Sequence, residues 1–145
     1  MFKIEFEPPH HGWMPVKIVC EDKEEYFDVS DVPVNPVSQL ADVLDSVLTG
    51  GWGEVWWHLE PAGYYLKLEA DNGAYRVQLD YSVNSMKQNR EQVFEFKGDF
   101  EEIIVPIWRS LRKLQSYKWD QFEVSDTAME SISKQVKSKK KIGRP

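Results

Sequence analysis

The first thirty residues alternate apolar and polar positions with the period of a β-strand. Phe2, Ile4 and Phe6 alternate with charged residues, residues 16–20 repeat this pattern, and a third, shorter run lies around residues 26–29. A period of two places the apolar set of each run on one face of a strand. Polar connections separate the three runs, so we predict a three-stranded meander at the N-terminus.

The next segment changes to the spacing of an α-helix. Apolar residues recur at intervals of three and four between positions 37 and 48, which forms one continuous apolar stripe. Asn35 before Pro36 is a typical helix start, because Asn accepts hydrogen bonds from free N–H groups and Pro has no N–H to leave unsatisfied. Gly50 and Gly51 follow the stripe and predict the helix end.

From Trp52 to Phe96 the period returns to two, and turn residues divide the segment into four strands, of which the first is predicted to begin at Glu54. Asn72-Gly73 is a strong hairpin signal, because both residues tolerate the positive φ angles of a type I′ turn. A polar stretch over residues 84–90 separates the third of these strands from the fourth. We predict an antiparallel meander of four strands.

A second helix is predicted after the last strand. Asp99 and Glu102 have the spacing of a capping box, and residues 100–114 carry an apolar stripe. Pro106 predicts either a kink in this helix or its true start. Farther on the pattern weakens, and residues 124–137 fit a short helix or a frayed tail equally well.

These elements predict an α+β fold: a mainly antiparallel sheet of six to seven strands, two main helices packed on one face, and a short or frayed C-terminal segment. We assign residues 1–120 to a single domain and residues 121–145 to a C-terminal extension with a basic tail. A chain of 145 residues is long enough to bury one hydrophobic core. The single cysteine, Cys20, cannot form an internal disulfide, so that core must stabilise the fold alone.

The charges are unevenly distributed along the chain. Residues 1–133 hold all 24 acidic residues and 12 of the 18 basic ones, a net charge of −12, and the other six basic residues lie between Lys134 and Arg144. An acidic body repels nucleic-acid phosphates and favours a basic partner. A Lys-rich terminus is typical of a solvated tail, so the sequence does not favour nucleic-acid binding.

The apolar content of the sequence predicts a location as well. The N-terminus lacks the apolar run of a secretory signal, and no stretch approaches the ~18 apolar residues of a membrane span. We therefore expect a cytoplasmic protein, of bacterial origin, with no membrane partner.

Motifs of catalysis and metal binding are missing from the sequence. The three histidines, His10, His11 and His58, do not have the spacing of a metal site. The glycines at positions 50–53 follow a helix instead of opening one, which argues against a phosphate loop. No Gly-x-Ser-x-Gly motif is present. We expect no catalytic residues, no metal and no cofactor, and we do not expect an enzyme.

Strand alternation places Trp56, His58, Tyr65, Lys67 and Arg76 on the sheet face opposite the core. Aromatic anchors inside a charged rim are typical of interface hot spots. We therefore expect Trp56 and Tyr65 to be exposed and these five residues to form a protein-binding surface. The alternatives are that the C-terminal segment covers this face or that a second copy of the chain does so in a homo-oligomer.

A second function class is a small enzyme or a ligand-binding domain with a pocket between sheet and helices. Glu60, Tyr64 and His58 are the polar side chains that could converge there. Such a site requires a concave pocket lined by those groups.

Part of the chain has a pattern found in other proteins. It runs through Ser38-x-Leu40-x-x-x-Leu44 and then Val55-x-Trp57-x-x-Glu60-Pro61-x-x-Tyr64-x-Leu66-x-Leu68. Over roughly residues 14–116 it resembles small uncharacterised bacterial α+β proteins, some of which look like immunity proteins of polymorphic toxin systems. The resemblance implies a non-catalytic protein that binds and blocks a toxin made by the same cell, and an acidic body would suit a basic toxin. It carries over no site residues, because the shared positions are core and turn positions.

Overall fold

The computed structural model of the protein describes residues 1–84 and 89–142. It confirms the predicted α+β fold with seven antiparallel strands. Of the polar loop predicted over residues 84–90, positions 85–88 lie outside the described residues, as do positions 143–145 of the basic tail. The elements are β1 (Phe2–Phe6), β2 (Trp13–Cys20), β3 (Lys23–Ser30), α1 (Pro36–Leu48), β4 (Trp52–His58), β5 (Gly63–Asp71), β6 (Ala74–Ser82), β7 (Glu91–Gly98), α2 (Val105–Tyr117) and α3 (Asp126–Ile142).

The seven strands divide into two sheets, each a simple meander. The first has the order β1-β2-β3 and the second the order β4-β5-β6-β7, with α1 between them along the chain. The turn that joins β5 to β6 is formed by Asn72 and Gly73, whose φ angles are 51° and 82°. These positive angles are those of a type I′ turn, as the sequence predicts.

Aromatic side chains join the inner faces of the two sheets into one core. Phe27 of the first sheet stacks on Tyr64 of the second with ring centroids 4.4 Å apart. Phe27 also lies edge-on to Trp57 at 6.2 Å, and Phe2 packs against Phe94 at the same distance. The two sheets therefore share a single hydrophobic core.

Helix α1 begins and packs as its sequence predicts. The side chain of Asn35 accepts hydrogen bonds from the backbone N–H groups of Val37 and Ser38, at 3.0 and 3.4 Å. The helix then packs on β4, where Gly53 makes a close approach possible: a Cβ atom at this position would lie 2.8 Å from Cγ2 of Val43. The position of α1 thus depends on the absence of a side chain at residue 53.

The second helix has the predicted capping box and a start that depends on Pro106. The Asp99 carboxylate accepts from the N–H of Glu102 at 2.9 Å, and the Glu102 carboxylate accepts from the N–H of Asp99 at 3.0 Å. A π-helical turn, Phe100–Ile104, follows the cap, and α2 begins at Val105 with Pro106 in its first turn. The Ser110 hydroxyl donates to the carbonyl of Ile4, which ties α2 to β1.

The C-terminal segment is a helix that contributes to the core. Met129, Ile132 and Val136 of α3 are buried, and the helix packs against α1 and α2. The indole N–H of Trp108 in α2 donates to the Ser133 hydroxyl at 2.9 Å. Of the two alternatives for residues 124–137, the helix is correct.

Among the described residues, none of the helices combines the length and the apolar character needed to cross a membrane.

Candidate protein-binding face

The second sheet has one buried face and one face that carries mainly polar side chains, which we call the outer sheet face. Val55 and Trp57 of β4, Leu66 and Leu68 of β5, and Val77 and Leu79 of β6 are fully buried, as the alternation predicts, whereas Tyr75 and Tyr81 of β6 are half-buried. The antiparallel register aligns the outer side chains in three rows: Trp52–Glu69–Arg76–Lys97, Glu54–Lys67–Gln78–Glu95 and Trp56–Tyr65–Asp80–Gln92. The register therefore brings the predicted site residues together on one surface.

Trp56 and His58 lie next to each other at one edge of this face. Their rings are 4.7 Å apart, and Nδ1 of His58 lies 2.9 Å from the carbonyl oxygen of Val32. Trp56 is half-buried, and its indole nitrogen is covered without a hydrogen-bond partner within the described part of the chain. Its backbone N–H donates to the side-chain carbonyl of Gln39 at 2.7 Å. This bond satisfies one backbone donor on the edge strand β4.

Lys67 and Arg76, the two charged residues predicted for the site, are held in ion pairs. Lys67 lies 3.8 Å from a carboxylate oxygen of Glu69. Arg76 lies 3.1 Å from Asp71 and 3.6 Å from Glu95. Each of these side chains is half-exposed, so they form a partly ordered rim.

The expectation that Tyr65 is exposed is wrong. This residue is 2% exposed, because the guanidinium carbon of Arg90 lies 3.6 Å from the centroid of its ring. Arg90 belongs to the stretch that the sequence analysis treats as a polar loop, and in the structure its side chain returns over the sheet. A cation over an aromatic face is attracted by the ring quadrupole, which holds the cover in place. Tyr65 thus lies beneath the Arg90 side chain and contributes almost no exposed area to the outer sheet face.

Arg90 is the first residue of the site that sequence reasoning missed. Its two terminal nitrogens donate to the two carboxylate oxygens of Glu54 at 2.9 and 3.0 Å, and Asp80 lies 3.9 Å away. The hydrogen bond to Glu54, followed by the charges of Glu54 and Asp80, raises the pKa of Arg90. The sequence signal for a cation here is that Glu54 and Asp80 lie in adjacent rows of the outer sheet face. Nothing in the sequence shows which cation reaches them.

Trp52 is the second missed residue, and it is the most exposed aromatic side chain of this face at 63%. The sequence predicts that β4 begins at Glu54, because the glycines around Trp52 are typical of a turn. The strand in fact begins at Trp52, and its even-numbered residues all share the outer face. Lys67 lies over the Trp52 ring, with its ammonium nitrogen 5.3 Å from the centroid.

Part of the exposed apolar surface lies along β4 and the loop beside it, while Tyr26, Val83 and Tyr117 are exposed elsewhere. Trp52 and Trp56 lie at one edge of the sheet, and the exposed side chains of Val32 and Val34 lie in the loop whose carbonyl contacts His58. The remaining outer face is a mixture of paired acidic and basic side chains. We call the four apolar residues, Trp52, Trp56, Val32 and Val34, the β4 edge patch.

The alternative site made of Glu60, Tyr64 and His58 does not form. Tyr64 is buried on the inner face, where its hydroxyl donates to Glu25 at 3.0 Å; its burial and that bond raise its pKa. His58 lies on the outer face, and Glu60 is exposed in the turn after β4. The three side chains therefore do not converge on one pocket, and the structure does not support this alternative site.

The described grooves lie away from those three residues. One of about 290 Å³ runs between β1 and α2, and one of about 360 Å³ lies between the β5–β6 turn and the end of α3.

His10 and His11 are exposed, and within residues 1–84 and 89–142 no three His, Cys, Asp or Glu side chains are grouped to hold a metal ion. Burial raises the pKa of the Cys20 thiol.

No protein-family model matches the chain, and no curated protein matches it. Among solved structures it is similar to a chain of the CdiA-CT/CdiI toxin and immunity complex from Enterobacter cloacae. The likeness has a TM-score of 0.49 and an identity of 14%, and it covers 78% of this chain and 99% of the other. A likeness at this identity assigns neither a family nor a function.

Proposed function

We propose that this protein is a non-catalytic binding domain that docks a protein partner on the outer sheet face, with Trp52 and Trp56 as its anchors. The observation that carries the proposal is the exposure of Trp52 beside the half-buried Trp56 on one edge strand. Tryptophan is enriched among the residues that dominate binding energy at protein interfaces. Burying the exposed part of such a side chain releases roughly 25 cal/mol for each Å² of apolar area.

The ion pairs around the two tryptophans support the same proposal. Arg90 holds Glu54 between Trp52 and Trp56, and it covers Tyr65 in the neighbouring strand. These contacts fix the surface before any partner arrives. A surface that is already ordered loses less conformational entropy on binding, which favours affinity.

The finer proposal is that the partner is a toxin and that binding neutralises it in the cytoplasm. Its basis is the resemblance of residues 14–116 to immunity proteins of polymorphic toxin systems, together with the net charge of −12 over residues 1–133. An acidic protein attracts a basic toxin over long distances and accelerates their association.

Growth protection tests this function. The product of the adjacent gene is expressed in a bacterial host with or without the wild-type chain, and we expect it to arrest growth when it is expressed alone. We expect the wild type to restore growth and the double variant Trp52→Ala/Trp56→Ala to fail. Tyr26→Ala is the matched control, because it removes an aromatic side chain of similar exposure from the first sheet, and we expect it to protect fully.

Two results would contradict the proposal. If the double variant protects as well as the wild type, the β4 edge patch is not the docking site. If light scattering shows a wild-type dimer that Trp52→Ala converts to a monomer, the patch is a homo-oligomer interface instead.

A further inference from the structure

The two C-terminal helices concentrate positive charge in a way that the rest of the molecule does not. Helix α2 contains no acidic residue but has Arg109, Arg112 and Lys113. In α3 no acidic residue follows Glu130, and the rest of the helix contains five lysines. The sheets, in contrast, mix both signs of charge.

The pairing of these cations differs from that of the cations on the sheets. Lys3, Lys17, Lys67 and Arg76 of the strands, and Arg90 of the loop before β7, all lie within 4 Å of a carboxylate oxygen. Among the side chains that the structure describes, none of the cations of α2 or α3 forms an ion pair. Among the described residues these charges are therefore not neutralised by a carboxylate within 4 Å, although Lys113 acts on Glu5 from farther away and helps to lower its pKa.

Contacts at Trp108 show that cations of both helices meet at one seam. Arg112 of α2 and Lys140 of α3 both lie over the Trp108 ring, at 4.8 and 5.4 Å from its centroid, and the indole N–H binds Ser133 of α3. We call the five residues Arg109, Arg112, Lys134, Lys137 and Lys140 the basic seam. A helical spacing of three residues puts Arg109 next to Arg112, and Lys137 next to both Lys134 and Lys140.

We propose that the basic seam binds the phosphate backbone of a nucleic acid without reading its sequence. Arg and Lys side chains that neutralise phosphates supply the sequence-independent part of nucleic-acid affinity. Arginine also matches phosphate with two parallel hydrogen bonds, and neither arginine of the seam has a carboxylate partner among the described residues.

Two other uses of these charges account for less of the pattern. Lysines in the last turns of α3 interact favourably with the helix dipole, but Arg109 and Arg112 lie in the middle of α2. An interfacial membrane helix inserts large apolar side chains between its cations, whereas Trp108 is 4% exposed and the buried residues of α3 face the core. The seam has the charge of a phosphate site without the apolar surface of a membrane anchor.

The structure also explains why the sequence did not favour this partner. A lysine-rich terminus considered alone is typical of a solvated tail. Residues 126–142 form a helix that packs beside α2, so lysines far along the chain add to the arginines at positions 109 and 112. This proposal does not depend on the proposed docking role of the outer sheet face.

Fluorescence anisotropy with a labelled single-stranded RNA 20-mer of mixed sequence tests the seam. The full-length variant Arg109→Gln/Lys134→Gln/Lys137→Gln removes three cations that are exposed and make no ion pair among the described residues. The control Lys3→Gln/Lys17→Gln/Lys67→Gln changes the net charge equally, but on the sheets. Circular dichroism and thermal unfolding verify that both variants are folded.

We expect the wild type to bind at 50 mM salt, the seam variant to bind roughly tenfold more weakly or worse, and the control to change far less. Each lost phosphate contact should also lower the slope of log affinity against log salt by about 0.7, so the seam variant should lose about 2. The proposal is overturned if the wild type does not bind, if both variants weaken equally, or if vesicles containing phosphatidylserine bind in place of the RNA.

Discussion

At the scale of single residues, Tyr65 shows how a side chain from a loop redefines a surface. Strand alternation placed Tyr65 on the correct face, and the register opposite Trp56 and Asp80 agrees with it. Its burial could not be predicted, because it depends on Arg90 reaching back over the sheet from a loop. Trp52 is the opposite case: parity with Trp56 would have placed it on the outer sheet face, and its flanking glycines concealed that.

Replacing Arg90 tests the cover over Tyr65. Arg90→Ala removes both hydrogen bonds to Glu54 in a pair whose side chains are 21% and 26% exposed, as well as the cation over the ring. We expect the free energy of unfolding in urea to fall by about 1 to 2 kcal/mol.

Arg76→Ala serves as the comparison for that measurement. Its side chain is 40% exposed, and solvent screening limits exposed pairs to roughly 0.5 kcal/mol. Equal losses from the two variants would show that Arg90 is an ordinary surface residue and that Tyr65 is covered by something else.

Tyr64 predicts how stability depends on pH. Burial and the bond to Glu25 raise its pKa, so the folded protein keeps the proton at pH values where the unfolded chain, with a Tyr pKa of about 10, loses it. The stabilisation is therefore complete below pH 10 and declines as the pH rises further. Between pH 8.5 and 10.5 the wild type should lose about 0.8 kcal/mol more than Tyr64→Phe.

Urea unfolding at the two pH values measures this difference, with Tyr117→Phe as an exposed control that keeps the wild-type slope. If Tyr64→Phe is as sensitive to alkali as the wild type, the hydroxyl of Tyr64 is not shielded in the folded state.

At the scale of elements, local signals were strongest where the chain supplies its own caps and turns. The cap at Asn35, the capping box at Asp99 and the Asn72-Gly73 turn are all present as predicted. The sequence does not decide between a helix and a frayed tail for α3, because its apolar residues are sparse and several lysines follow them. What makes it a helix is a tertiary contact: Met129, Ile132 and Val136 are buried as it packs against α1 and α2.

The contribution of α3 to stability can be measured at Ile132. This side chain is 1% exposed, so Ile132→Ala should lower the free energy of unfolding by about 2 to 4 kcal/mol in a single cooperative transition. Ser131→Ala, one residue away and exposed, should stay within about 0.5 kcal/mol of the wild type. A loss below that limit at Ile132 would favour the prediction that residues 121–145 are an extension of a domain that ends near residue 120.

At the scale of the whole molecule, the sequence predicts the number and direction of the strands but not their division into two sheets. Strand patterns record which side chains are buried, and they do not record that aromatic rings from two meanders meet in one core. The distribution of charge also becomes interpretable only in three dimensions. Mixed and largely paired charges lie on the sheets, while α2 and α3 carry unpaired cations within the described residues, so the molecule offers two surfaces of different chemistry.

The docking role of the outer sheet face is tested most directly by calorimetric titration with the purified product of the adjacent gene, which we expect to be the partner. Trp52→Ala should weaken its binding by at least tenfold, because a tryptophan that acts as an interface hot spot contributes about 2 kcal/mol or more, and about 1.4 kcal/mol is a factor of ten in affinity. Tyr26→Ala, in the other sheet, should bind within twofold of the wild type. Equal affinities for wild type and Trp52→Ala would contradict the account.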